Sequence, residues 1–370
     1  MMKKILTTLC ILCVSATGLH AAEPFSGKAD PKPIREVCNA VAAWQIANFD
    51  AVKHGNLSWT NGALYRGMFE WAELDGNQAV FDFLMQIGKK NKWAMGSRVY
   101  HADDICVGQA FIEMYRKFGD KKMLQPVMER AFYIASHPSQ APLSKKDPVG
   151  KDERWSWCDA LFMAPPVYAA LYALTGEQVY LDYMDMEFRA CTDSLYDRDE
   201  HLYYRDCIRI PEREPNGAKQ FWGRGNGWVF GGIPLILEYL PKDHPSRDYY
   251  IGIFREMAVR IVDTQDRNGT WHASLLDAET YPAPENSASA FFCYGLAWGI
   301  RNGYLPQQPY MKTLKKGWKS LVSHVDANGK LGYVQPVGAS PRKVSASSTD
   351  VYGVGAFLLA GSELTRLCEK

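Results

Sequence analysis

Helical periodicity recurs along almost the whole 370-residue chain, and it constrains the fold more than any other feature of the sequence. Apolar residues return every three or four positions in separate stretches, which are bounded by capping residues, glycine or proline. We predict about twelve helices, over residues 33–52, 63–74, 78–90, 104–118, 121–135, 160–174, 178–196, 227–240, 247–266, 287–302, 309–324 and 351–368. The fold class is therefore all-α.

Short polar turns that contain aromatic residues separate several of the predicted helix pairs. DRDEHLYYRD begins at Asp197, DRNGTWHAS at Asp266 and DANGKLGYV at Asp326. Asp-rich and Asn-Gly turns followed by alternating aromatic residues indicate β-hairpins. Six helix pairs joined in this way predict an (α/α)6 barrel whose funnel is lined by helix N-termini and hairpins. Since no linker-like segment interrupts residues 23–370, we expect them to form one domain.

The first 22 residues are organised like a secretory signal peptide. Two lysines precede an apolar stretch from Ile5 to about Leu19, and the small residues Ala21 and Ala22 follow it. The apolar stretch is too short to cross a membrane. We therefore expect residues 1–22 to be removed and the mature protein to be exported to the periplasm, or alternatively secreted, without a membrane anchor.

The balance of charges excludes several classes of partner. The chain has 42 Lys and Arg against 41 Asp and Glu, and a net charge of +1 creates no field that attracts nucleic acid or an anionic membrane. No Cys or His pair has the spacing of a zinc site, so we expect no metal and no cofactor. The 11 Trp and 20 Tyr are numerous, and exposed aromatic rings stack on sugars.

The segment HADD contains two adjacent aspartates, Asp103 and Asp104, and one alanine separates them from His101. A single aspartate before a helix usually accepts hydrogen bonds from the N–H groups of the first turn. Only one of the two can be the cap, so the other is a candidate for chemistry.

Asp159 follows two tryptophans in RWSWCDALF and opens an apolar helix. Helix capping is again one interpretation. Alternatively, a carboxyl next to Trp157 is partly desolvated, which raises its pKa and allows it to hold a proton near neutral pH.

Residues 221–232, FWGRGNGWVFGG, combine glycines with aromatic residues and one arginine. The segment lacks the preceding strand of a dinucleotide fingerprint and the Lys-Ser or Lys-Thr of a phosphate loop. A glycine-rich turn that leads into a helix from Gly227 is one interpretation. The other is a site for an acidic sugar, because Arg224 between Trp222 and Trp228 offers a planar fork to a carboxylate and Gly225 allows a close approach.

These motifs, together with ENSASAFFCYGL and DVYGVGAFLLAGSEL, resemble glycoside hydrolase family 105, the unsaturated rhamnogalacturonyl hydrolases, which are related to family 88. The motifs follow in order from about residue 40 to the C-terminus. The resemblance implies an (α/α)6 barrel that removes a 4,5-unsaturated galacturonyl or glucuronyl residue from the non-reducing end of lyase-generated oligosaccharides. In that reaction an aspartic acid protonates C4, water adds to C5, and the resulting hemiketal opens to release the aglycone.

The resemblance also implies roles for individual residues. Asp159 matches the proton donor and subsequent base, and Asp103 matches the second acidic residue better than Asp104 because of its spacing to Gly108. The candidate substrate contacts are Trp157, Trp222, Arg224, Gly225, Trp228, His101, Asp104 and Arg205.

Arg205 departs from the family pattern. Relatives often have a histidine after the LYY-like strand, where this chain has the arginine. The extra cation is expected to influence which uronate or aglycone is accepted.

Two other functions remain open from the residues alone. One is an (α/α)6 glycosidase or sugar epimerase that acts on saturated sugars, in the glycosidase case with two carboxylates at the anomeric carbon. The other is a glycan-binding protein that uses the same aromatic groove without chemistry.

Overall fold

The structure, a computed structural model, describes residues 23–51 and 54–370. These residues contain fourteen α-helices and one short β-hairpin. The signal peptide expected at residues 1–22 lies outside the described residues. None of the described helices is long and apolar enough to cross a membrane.

Six helices form a closed inner ring in which each contacts the next and the last contacts the first. They are α2 (Trp59–Asp75), α5 (Gly108–Phe118), α8 (Pro165–Thr175), α10 (Gly223–Leu237), α12 (Asn286–Arg301) and α14 (Val351–Cys368). Six outer helices pack around them: α1 (Pro31–Ala47), α3 (Gln78–Lys90), α6 (Lys121–Ser136), α9 (Gln178–Leu195), α11 (Arg247–Asp263) and α13 (Gln307–Ser323). The predicted (α/α)6 barrel is confirmed.

The sequence decides which helices are inner and which are outer. Every residue of α12 from Asn286 to Ile300 is buried, and a helix that is apolar on all sides requires neighbours on all sides. In α13, by contrast, apolar residues occupy one face and lysines the other. Inner and outer helices alternate along the chain, so the six inner helices run in the same direction and their N-termini meet at one end.

Several boundaries differ from the predicted ones; α1, for example, ends at Ala47 and not at residue 52, and α2 begins at Trp59 and not at residue 63. The helix predicted over 104–118 is divided into the short α4 (Ala102–Ile105) and α5, and the one predicted over 160–174 into α7 (Ala160–Met163) and α8. The second break precedes Pro165, which has no N–H and begins α8 at a position where none is needed. α10 begins at Gly223, four residues before the predicted start.

One of the three predicted hairpins has paired strands. β1 (Tyr196–Asp197) and β2 (Leu202–Tyr203) are antiparallel. At Asp266 and Asp326 the chain forms tight turns in which the aspartate side chain accepts backbone hydrogen bonds, and strand pairing there is limited to isolated bridges.

Candidate active site

Asp103 and Asp104 have different roles in the folded chain. Asp104 receives hydrogen bonds from the backbone N and the guanidinium of Arg98, at 2.7 Å from the N and 2.5 Å from Nη2, so it fixes the preceding loop. The α4 N-terminus is capped by His101, whose Nδ1 accepts from the Asp103 N–H at 3.2 Å. The Asp103 carboxyl is therefore the one of the two that remains available for chemistry.

The surroundings of Asp103 favour its protonated form. Burial raises the pKa of its carboxyl to about 6, against the opposing effect of His101, and the nearby Asp159 acts in the same direction as burial. His101 Nδ1 lies 3.7 Å from Asp103 Oδ2. Close to neutral pH, Asp103 therefore holds a proton in part of the molecules.

Asp159 precedes α7, and its side chain makes no capping hydrogen bond. Its Oδ1 lies 3.5 Å from the thiol of Cys158 and 3.7 Å from Nε of Arg205. Helix capping therefore does not explain Asp159. The sequence led us to expect apolar surroundings created by Trp157, whereas the carboxylate faces a cation.

Arg205 is held over Asp159 by its own backbone and by a second carboxylate. Its carbonyl accepts from the Cys158 N–H at 2.9 Å, and an isolated bridge joins Trp157 to Asp206. Its Nη1 donates to the buried Asp206 at 2.7 Å. The residue that departs from the family pattern thus places a fixed positive charge beside one of the two candidate catalytic carboxyls.

Lys145 also lies at this site, although the sequence analysis missed it. Its Nζ is 3.9 Å from the ring centroid of Trp157 and 2.5 Å from Oδ1 of Asp152. His101 also packs on Trp157, with a distance of 4.8 Å between the ring centroids. The loop that carries Lys145 has no helical or strand periodicity, so nothing in the sequence distinguishes this lysine from its neighbours.

Arg224 is placed differently from the expectation that it would offer a free fork to a carboxylate. The residue is 0% exposed, and its Nη1 and Nη2 donate to the carbonyl oxygens of Gln335 and Pro336 at 2.5 and 3.1 Å. Its guanidinium stacks on Trp222 and Tyr352. Arg224 therefore fastens the 335–336 segment to the start of α10.

The two tryptophans of the same motif pack in the core and are not exposed to solvent. Trp228 is fully buried among Trp59, Phe162 and Phe291. Trp222 is 2% exposed, and its Nε1 donates to the side chain of Gln335. The expected sugar stacking on these two rings is not available in this conformation.

The glycines of the motif serve helix packing. A Cβ on Gly223 would lie 2.4 Å from the carbonyl oxygen of His272, and a Cβ on Gly225 would lie 3.2 Å from the Cys158 sulfur. Gly225 therefore allows α10 to lie close to the segment that carries Asp159. We had expected it to allow the close approach of a ligand.

Trp59 and a His–Asp pair occupy the same end of the barrel, and the sequence analysis did not identify them. The half-buried Trp59, at the start of α2, stacks on Tyr352 at 5.3 Å between ring centroids. His54 Nε2 lies 2.8 Å from Oδ1 of Asp350, which also caps α14. Of these aromatic rings, Trp59 is the one with accessible surface for a sugar.

Among the described residues, no three His, Cys, Asp or Glu side chains gather in a way that could hold a metal ion. The seven described cysteines, from Cys38 to Cys368, are free thiols.

Comparison with known proteins places the chain in a defined group. Residues 37–368 match the Glycosyl Hydrolase Family 88. A curated protein of Formosa agariphila, named unsaturated 3S-rhamnoglycuronyl hydrolase, is 36% identical, and the alignment covers 98% of both chains. A protein of the same name from Alteromonas sp. is 34% identical over 89% of this chain and 85% of its own length.

Solved structures agree with this match in fold. A glycosyl hydrolase family 88 protein from Bacteroides vulgatus is 30% identical with a TM-score of 0.82, covering 91% of this chain and 99% of its own. Another structure, described as a polysaccharide lyase, is 31% identical with a TM-score of 0.83 and covers 92% and 98% of the two chains.

Proposed function

The chain belongs to Glycosyl Hydrolase Family 88, and we propose that Asp103 and Asp159 are its catalytic residues. It is a glycoside hydrolase that removes unsaturated uronic acid, and the resemblance found in the sequence is confirmed. One observation carries the proposal about the residues. Where the inner helices begin, two carboxyls interact electrostatically, one with a pKa raised to about 6 and the other facing the guanidinium of Arg205.

Hydration of a C4=C5 double bond requires one proton delivered to C4 and one proton removed from the attacking water. A carboxyl that holds a proton near neutral pH can deliver the first, and a carboxylate close to it can accept the second. The resemblance assigns both steps to Asp159, and burial raises the pKa of the nearby Asp103 carboxyl to about 6, so Asp103 holds a proton in part of the molecules near neutral pH. The hemiketal formed at C5 then opens, and the aglycone leaves.

Two cations next to the carboxyl pair suit an anionic substrate. Lys145 stands over Trp157, and Arg205 adjoins Asp159. Because Arg224 is occupied by backbone carbonyls, we assign recognition of the uronate to Lys145 and Arg205. We further propose an unsaturated rhamnoglycuronyl oligosaccharide as the substrate, the class named for the two curated relatives.

A polysaccharide lyase is the second candidate, because one structural neighbour is described as such. A lyase creates a C4=C5 double bond in a saturated polymer, whereas the proposed hydrolase consumes one. The two activities therefore change the ultraviolet absorbance of the double bond in opposite directions.

The test uses this difference in sign. The purified mature protein is incubated in parallel with lyase-generated unsaturated disaccharides and with the saturated parent polysaccharide, and the absorbance is followed. We expect it to fall with the disaccharides, with release of the free aglycone sugar, and to stay constant with the polymer. A rise with the polymer and no change with the disaccharides would overturn the proposal in favour of a lyase.

We also propose that the protein is exported after removal of residues 1–22. The lysines, apolar stretch and small residues of this segment support the proposal. Cell fractionation followed by N-terminal sequencing tests it, and a cytoplasmic protein that retains residue 1 would contradict it.

A further inference from the structure

Two buried carboxyls, Glu214 and Asp277, lie outside the active-site pair and have no role in the reaction described above. They are 4% and 2% exposed, and they belong to separate segments, the loop before α10 and the turn after residue 274. Burial raises the pKa of Glu214, a contact with the Ser274 hydroxyl opposes this, and the charge of Asp277 raises it again. The two segments are in direct contact, because Asn216 Nδ2 donates to the carbonyl oxygen of Leu276 at 2.8 Å, and the two carboxyls are therefore neighbours in space.

No positive side chain neutralises this pair within the described residues. The nearest basic residues in sequence are used elsewhere: Arg213 Nη1 donates to the carbonyl oxygens of Ile210 and Glu212, and Lys219 Nζ lies 2.7 Å from Asp197. Burying carboxylates without a counter-ion is strongly unfavourable, because they lose their hydration and gain no opposite charge.

Three oxygen atoms of this cluster are buried without a hydrogen-bond partner in the described structure. They are Glu214 Oε1, Asp277 Oδ2 and the hydroxyl oxygen of Ser274. Ser274 is 0% exposed, and its hydroxyl lies close to the Glu214 carboxyl. Unsatisfied buried polar atoms are rare, and three in one cluster indicate a missing partner.

We propose that Glu214, Asp277 and Ser274 form a binding site for a hard divalent cation, Ca²⁺. The available donors are carboxylate and hydroxyl oxygens, and Ca²⁺ prefers oxygen ligands and tolerates irregular geometry. The side chain of Gln220 also lies close to Glu214. With two charged ligands the site belongs to the weak class, with a Kd of about 10⁻⁴ to 10⁻³ M.

Such an ion would brace the wall of the barrel next to the start of α10. The N–H of Leu275 donates to the carbonyl of Phe221 at 3.0 Å, and the N–H of Gly223 donates to Ala273 at 2.8 Å. These bonds attach the segment that carries Ser274 and Asp277 to α10. Binding to the folded chain alone stabilises it by mass action.

The experiment measures thermal unfolding of the full mature protein at pH 7.5 after treatment with a chelator, as CaCl₂ is added back. Wild type should gain a saturable rise in Tm of about 1 to 3 °C at millimolar Ca²⁺. The variants Glu214→Gln and Asp277→Asn should show no such rise. Glu279→Gln, an exposed carboxyl in the same turn, is the matched control and should respond like wild type.

A second readout is terbium luminescence, since Tb³⁺ replaces Ca²⁺ at oxygen sites and is sensitised by nearby aromatic rings such as Tyr281. We expect emission from wild type that Ca²⁺ competes away, and Ser274→Ala should weaken it if the charge variants fail to fold. A wild-type Tm that is unaffected by Ca²⁺, with no displaceable emission, would overturn the proposal. So would a Glu214→Gln variant that is more stable than wild type at every Ca²⁺ concentration, because the carboxyls would then simply share a proton.

Discussion

Asp103 is half-buried between His101 and Asp159, and its burial raises the pKa of the carboxyl from 3.8 to about 6. A carboxyl whose pKa is higher in the folded chain than in the unfolded chain favours folding while it is protonated. This contribution is complete below pH 4 and is lost as the pH rises through 6. At about 1.4 kcal/mol per pKa unit, the loss is about 3 kcal/mol. The raised pKa that allows Asp103 to transfer a proton therefore lowers the free energy of unfolding at neutral pH.

Replacing this carboxyl by an uncharged amide should remove the loss. We expect Asp103→Asn to raise the free energy of unfolding by about 2 to 3 kcal/mol at pH 8 and to leave it almost unchanged at pH 4. Urea unfolding of both proteins at the two pH values measures the difference. Equal stability at pH 8 would show that Asp103 ionises as freely in the folded as in the unfolded chain.

Arg224 shows why a residue type alone did not reveal its role. A guanidinium can donate to a substrate carboxylate or to two backbone carbonyl oxygens with the same geometry. The sequence does not show which of these acceptors lies next to Arg224 in the folded chain. The sequence did identify Asp103, Asp159, His101 and Arg205, which the structure brings together. It missed Lys145, because an irregular loop leaves no periodic signal from which its position in space follows.

The role of Arg224 can be tested by a conservative change. Arg224→Lys should lower the free energy of unfolding by about 2 to 4 kcal/mol, because an ammonium cannot serve both carbonyls and one is left buried without a donor. The control is Arg213→Lys, since Arg213 also donates to two carbonyls but is exposed, and its replacement should change stability by less than about 0.5 kcal/mol. A raised KM with unchanged stability in Arg224→Lys would instead support the substrate fork expected from the sequence.

At the scale of elements, close contacts between inner helices explain why glycines occur inside α2 and α14, at positions for which the helical periodicity gives no reason. A Cβ on Gly355 of α14 would lie 2.3 Å from the carbonyl oxygen of Ala63 in α2, and one on Gly67 would lie 2.0 Å from the carbonyl oxygen of Gly355. The two helices therefore touch through their backbones. This contact also closes the inner ring, because α14 is the last helix and α2 the first of the six.

Gly355→Ala should consequently lower the free energy of unfolding by at least about 2 to 3 kcal/mol, in the range found for overpacked cores. Gly252→Ala in the outer helix α11 is the control. Nothing lies within 4 Å of its added Cβ, so the better helix propensity of alanine should raise stability by up to about 1 kcal/mol. Chemical denaturation of the two variants measures both effects, and equal changes in the two would contradict the proposed backbone contact.

Helix ends were predictable where local chemistry sets them and not where packing does. The predicted limits of α3 and α14 agree with the observed ones, since polar residues and caps flank both helices. α10 starts earlier than predicted because Gly223, Gly225 and Gly227, which look like a turn, are held in helical conformation by contacts with other segments. Tertiary contacts override local propensity there.

At the scale of the whole molecule, twelve alternating helices suffice to predict the closed barrel. The helix pairs bury the apolar faces of their inner helices only when the ring closes. Because inner and outer helices alternate, the N-termini of all six inner helices then lie at one end of the barrel. The relative positions of the loops on this end were beyond prediction, since they depend on contacts such as Arg224 with Gln335 across more than a hundred residues. The site is therefore partly predictable from motifs, while Lys145 and the pair Glu214 and Asp277 are not.

The measurement that tests the central claim most directly compares the loss of C4=C5 absorbance from an unsaturated disaccharide among wild type, Asp103→Asn, Asp159→Asn and the exposed control Glu279→Gln. We predict that wild type and the control consume the double bond at similar rates and that each aspartate variant is slower by about 10²-fold or more. Circular dichroism confirms that all four proteins are folded. Wild-type rates in both aspartate variants, or release of the aglycone by wild type without loss of absorbance, would contradict the account.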